Sequence, residues 1–187
     1  MLIQGFRFLL VLLLVSFSGC VTVLGSPSEM GISTDRRFTE NVLIDQALEI
    51  KIKKISDQLP ELATSRIQIH SFNGHVLLLG QTDNQDNIHL LSQQVSQLEG
   101  VKKIYNEITI GPTIGFWEWS ADRVIDSKIK SSMIVTKGIN PLRIQVFTEK
   151  KIVYLVGIVK NIEEETAVDI ASNISGVEKV VKIFERV

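Results

Sequence analysis

Few residues in this 187-residue chain could do covalent or metal chemistry. Cys20 is the only cysteine, which excludes an intramolecular disulfide and a cysteine-rich zinc site by arithmetic. His70 and His75 flank an Asn73-Gly74 turn, where a hairpin would bring two imidazoles across the strands from each other. Zinc needs a third protein ligand and none is in view, so the expectation is exposed hairpin side chains and no metal. His89 stands alone in a helical segment and is expected to be solvated. Glu163-Glu164-Glu165 reads as a solvated helix start, where acidic groups suit the dipole. No nucleophile stands beside a base in a supporting context. The reading is therefore no enzyme, no cofactor and no small-molecule substrate.

Chemistry of another kind gathers at Gly115-Phe116-Trp117-Glu118-Trp119-Ser120, which holds both tryptophans. From Ala121 to Gly138 the charges are Arg123, Lys128, Lys130 and Lys137 against Asp122 and Asp126, in a chain of net charge −1. Aromatic rings beside basic groups suit a membrane interface. The same rings would equally serve to glue two domains together, and both readings stand. The overall charge gives no reason to expect a nucleic-acid partner.

The sole thiol also has a context. Phe8 to Val15 is an unbroken apolar run after Arg7, too short to span a bilayer, and Ser18-Gly19-Cys20 follows. That is the form of a secretory signal peptide over residues 1–19. It resembles the lipobox of bacterial lipoproteins, although Phe17 stands where those proteins prefer an aliphatic residue. The resemblance implies that Cys20 is acylated and becomes the mature N-terminus. With Val21 rather than Asp after the cysteine, it further implies the periplasmic face of the outer membrane. Residues 20–39 read as this lipidated cysteine and a flexible linker.

The rest of the chain repeats itself. Asp45, Lys51, Arg66, Gln68, Val76, Leu78 and Gly80 recur 77 positions later as Asp122, Lys128, Arg143, Gln145, Val153, Leu155 and Gly157. In each copy an amphipathic helix comes first, from Ile44 to Leu59 and from about Ala121 to Val135. Two short strands follow, then a helix (Asn84 to Leu98, Asn161 to Ile174) and a last strand (Val101 to Ile110, Val177 to Val187). The fold class is α+β: two tandem αββαβ domains, each with two helices on a three-stranded mixed sheet. Their expected bounds are 40–110 and 119–187, joined by a connection at 111–118. Gly80 and Gly157 end the second strand of each copy, suggesting a backbone position with no room for a side chain.

An αββαβ unit with an apolar second strand ending in Gly, and Gly-Val before the last strand, resembles the BON domain. The whole chain, from lipobox to the second copy, is similar to dual-BON outer-membrane lipoproteins. That resemblance implies an anionic phospholipid membrane as partner, met by the first helix of the second domain. It also leaves room for envelope-protein partners as an adaptor. It carries the contact onto Trp117, Trp119, Arg123, Val124, Ser127, Lys128, Lys130 and Ile134. Val124 stands where the family has an exposed aromatic residue, and Trp119 is a candidate to replace it from the preceding turn.

Overall fold

The structure, a computed structural model, describes residues 39–187. The expected signal peptide, the expected acylation site Cys20 and the expected linker up to residue 38 lie outside the described residues.

The first repeat comprises α1 (Thr39–Gln58), β1 (Arg66–Phe72), β2 (His75–Thr82), α2 (Gln85–Ser96) and β3 (Lys103–Ile110). The second comprises α3 (Phe116–Val135), β4 (Ile144–Glu149), β5 (Ile152–Val159), α4 (Asn161–Ser172) and β6 (Lys179–Arg186). Each repeat builds its own sheet, in the orders β1-β2-β3 and β4-β5-β6. The hairpin pair is antiparallel, with Ile69 opposite Leu78 and Val146 opposite Leu155. The third strand joins the second in parallel, because the intervening helix carries the chain back across the sheet.

Alternation along the strands sends side chains to two different cores. Val76 and Leu78 turn to Leu48 and Ile52 of α1 and to Leu91 and Val95 of α2. Val153 and Leu155 turn likewise to Ile125, Ile129 and Met133 of α3 and to Ala167 and Ala171 of α4. The opposite faces are also buried. Leu77, Leu79 and Phe72 pack against Tyr154, Val156, Ile158 and Ile183, so the two sheets meet through their helix-free faces. This explains why β2 and β5 read as unbroken apolar runs. The residues named for all three cores belong to these two repeats.

The recurring residues have local reasons. Asp45 accepts from the N–H groups of Asn73 and Gly74 at 2.6 and 2.9 Å, clamping α1 to the first hairpin turn. Asp122 accepts from Lys150 and Lys151 N–H at 2.8 and 2.9 Å in the same way. A Cβ on Gly80 would lie 1.8 Å from the Arg66 carbonyl oxygen, and one on Gly157 would lie 2.3 Å from that of Arg143. Neither position has room for a side chain.

The interdomain connection is shorter than the sequence suggests. Helix α3 begins at Phe116, five residues before the expected start, because Gly115 opens it and Glu118 accepts from the Gly115 N–H at 3.0 Å. Both tryptophans therefore belong to the first turns of the helix and not to a connecting segment.

Candidate functional site

The buried side of α3 is Asp122, Ile125, Asp126, Ile129 and Met133. Two adjacent rows face water. One holds Trp117, Ala121, Val124, Lys128, Ser131 and Val135, the other Phe116, Ser120, Ser127, Lys130 and Ile134, with Arg123 half-buried among the latter. Trp117 is 82% exposed, Phe116 67%, Ile134 69% and Val124 52%, so a mainly apolar surface with two lysines stands in solvent. Phe116 joins the two tryptophans in one aromatic cluster, its ring centroid 5.4 Å from that of Trp117 and 6.0 Å from that of Trp119.

This exposure answers the gluing alternative: Trp117 and Trp119 do not fill the interface between the repeats. Trp117 precedes Val124 by two turns on the same row, so it and Phe116 supply the aromatic surface beside Val124. Trp119, 41% exposed, lies on another flank. Phe116 and Val135 are additions that the aromatic and basic pattern had not singled out as site residues.

The charges are distributed differently from a simple count. Asp122 is consumed by the turn clamp, and Asp126 accepts from Thr148 Oγ1 at 2.5 Å and pairs with Arg123 Nη1 at 2.9 Å. Burial pushes the Asp126 carboxyl upward, opposed by the Thr148 hydrogen bond and the Arg123 and Lys130 charges. Asp122 and Asp126 thus point inward and do not oppose an anion at the helix surface, which leaves Glu118, exposed in the first turn, as the helix's one outward acid. Arg123, however, is also committed: its Nη2 donates to the Thr148 carbonyl at 2.9 Å. Lys128 and Lys130 remain exposed, and among the described residues neither forms an ion pair. The predicted residues Trp117, Val124, Ser127, Lys128, Lys130 and Ile134 share one surface, whereas Arg123 braces the helix against β4 and Trp119 sits at the margin.

The profile of the BON domain matches this chain twice, over residues 44–112 and 121–185. The chain belongs to the BON-domain family. It carries two BON domains, and α3 is the first helix of the second. The chain is 34% identical to the outer membrane lipoprotein DolP of Haemophilus influenzae, over 91% of this chain and 90% of that one. It is 30% identical to a 21 kDa hemolysin of Actinobacillus pleuropneumoniae, over 82% of this chain and 79% of that one.

The histidines of the first BON domain are not exposed hairpin groups. They are not register partners either, since His70 lies opposite Leu77 and His75 opposite Phe72. Both turn toward the second BON domain. His70 stacks on Phe147 at 3.7 Å between centroids, and His75 Nε2 lies 3.7 Å from Glu185. Burial, with a smaller effect of Arg123, lowers the His70 pKa to about 4. His89 is exposed, as expected, beside Gln85. Among the described residues no group of three or more His, Cys, Asp or Glu could hold a metal ion. The acidic start of α4 is not solvated except at Glu165. Glu163 accepts from the Lys160 N–H and pairs with Arg143, while Glu164 pairs with Lys182 and Arg186, whose hydrogen bonds lower its pKa.

One polar site went unread in the sequence. Glu149, at the end of β4 and 4% exposed, accepts from Arg66 Nη1, Gln68 Nε2 and Gln81 Nε2, each at 2.6 Å. All three donors belong to the first BON domain, so this carboxylate locks the two domains together. The repeat carries Phe72 at the equivalent position, and that exchange of Phe for Glu was the available signal.

Proposed function

We propose that this protein is a non-catalytic envelope lipoprotein, anchored through Cys20 at the periplasmic face of the outer membrane. Its second BON domain binds anionic phospholipid through α3 and so supports outer-membrane integrity. The observation that carries this reading is the exposed face of α3, where Phe116, Trp117, Val124, Ile134 and Val135 surround Lys128 and Lys130, Asp122 and Asp126 turn inward, and Glu118, the helix's one exposed acid, accepts from the Gly115 N–H. Aromatic rings settle at the head-group level, and each lysine near an anionic surface contributes about 1 kcal/mol. Two lysines alone give millimolar binding or weaker. An acyl anchor would hold the face near the bilayer and raise its effective concentration. The likeness to an outer membrane lipoprotein over most of both chains supports the location.

The test is flotation of a chain starting at residue 21, which keeps every residue named in the three cores, with vesicles of phosphatidylglycerol or phosphatidylcholine. Binding should favour phosphatidylglycerol, weaken as salt rises, and be lost in a Trp117→Ala, Lys128→Glu, Lys130→Glu variant of unchanged circular dichroism. Equal binding to both vesicles, or none, would leave an adaptor for envelope proteins as the better reading.

A further inference from the structure

Beside α3, along the junction of the two BON domains, runs a groove of about 570 Å3, a size typical of small-molecule sites. Its walls are Ile134 of α3, Leu142 of the following turn, and Val146 and Phe147 of β4, with His70 and Glu49 contributed by the first domain. We propose that this groove takes the acyl chain of a single anionic phospholipid from the bilayer that α3 contacts. The proposal rests on the membrane reading of α3 and goes beyond it, from docking on a surface to holding one lipid.

Three observations argue for that occupant. The lining is mostly carbon, and Ile134 and Leu142 are 69% and 64% exposed, apolar groups that an acyl chain would remove from water. The charge also fits an anionic amphiphile. Lys130 lines the groove and has no carboxylate partner among the described residues, while Glu49 accepts from the Ser71 N–H at 2.7 Å. Finally, Ile134 belongs both to the membrane face and to the groove, so apolar surface is continuous from bilayer to groove.

The experiment titrates the chain from residue 21 with lysophosphatidylglycerol below its micellar concentration, followed by amide and methyl NMR. Glycerophosphoglycerol, the same head group without a chain, is the comparison. The expected result is saturable one-to-one binding of the lysolipid only, with NOEs from its methylenes to the methyls of Ile134 and Leu142. Leu142→Glu, at an exposed position, should weaken it at least about tenfold while vesicle flotation persists. Conversely, Trp117→Ala should reduce flotation and leave monomer binding intact. Shifts confined to Trp117 and Val124, binding only above the micellar concentration, equal binding of the chainless head group, or indifference to Leu142→Glu would overturn the groove without touching the membrane reading. Groove binding with no flotation would instead overturn the membrane reading and leave the groove standing.

Discussion

Replacing Glu149 with Ala should uncouple the two BON domains. The carboxylate side chain is 5% exposed and collects three side-chain donors from the other domain, each at 2.6 Å. Its removal strands the Gln81 amide, which is fully buried, and the Arg66 guanidinium, whose side chain is 24% exposed. Breaking one side of a buried pair costs about 3–5 kcal/mol. Arg66 can recover some hydration from its exposed part, so the lower end applies, about 3 kcal/mol. For a protein of this size each kcal/mol moves the thermal midpoint by about 2–4 °C, giving a fall of roughly 6–12 °C. Both tryptophans lie in the second domain, so their fluorescence follows that domain while far-ultraviolet circular dichroism follows both. In the parent chain the two probes should give coincident urea transitions. In Glu149→Ala they should separate, because the apolar contact between the sheets no longer has its polar lock. Coincident transitions with a loss below about 0.5 kcal/mol would refute the reasoning.

Two further outcomes follow from the same interface and its neighbouring turn. His70 is depressed from 6.5 to about 4 in the folded state, so the unfolded chain binds the extra proton between those values. Its contribution is fully present above pH 6.5, is lost as pH falls to about 4, and amounts to on the order of 3 kcal/mol; the difference in urea stability between the parent and His70→Phe, measured at pH 7 and pH 4, isolates it. Lys150 and Lys151 hold φ values of 50° and 63°, where the first repeat has Asn73-Gly74, so the double change Lys150→Asn, Lys151→Gly should stabilise by about 1 kcal/mol, and a lowered thermal midpoint would contradict the strain argument.

The fold was legible because the repeat gave two independent readings of each element. Leu48 and Ile52 fix the buried side of α1 as Ile125 and Ile129 fix that of α3, and Gly80 and Gly157 mark the same close approach. What escaped was the meeting of the domains. Its signal was present in β2 and β5, where Val76–Leu79 and Ile152–Val156 do not alternate as a sheet with one wet face would. The histidines were misplaced for that reason, since a hairpin considered alone has a solvent side. Arg123 and the two aspartates were misjudged for a different one. A sequence reports charge, but whether a charge faces water depends on hydrogen bonds made to residues 22 to 29 positions away.

The first domain supplies an internal control for the surface of α3. The two helices share a fold, a clamping aspartate and two lysines, since Lys51 and Lys53 of α1 answer to Lys128 and Lys130 of α3. At the ends of the exposed rows they part. Glu40, Asp57 and Gln58 occupy the positions of Trp117, Ile134 and Val135. In α1 the Lys53 ammonium is met by Asp57, one turn on. In α3 that place is Ile134, so Lys130 keeps its charge beside exposed carbon. Leu43 and Ile50 are exposed on α1 as well, but they lie between Glu40 and Asp57, and acidic ends repel an anionic surface. A helix of this fold therefore forms with polar ends. The core leaves the aromatic and aliphatic ends of α3 in solvent, where α1 carries polar residues instead. The difference between the two helices favours α3 over α1 for the proposed membrane contact: transplanting Glu40 and Asp57 onto α3, as Trp117→Glu and Ile134→Asp, should leave the second domain folded and abolish the proposed binding to phosphatidylglycerol vesicles. If that variant unfolds, the apolar ends of α3 belong to the fold after all, and the argument from the first domain fails.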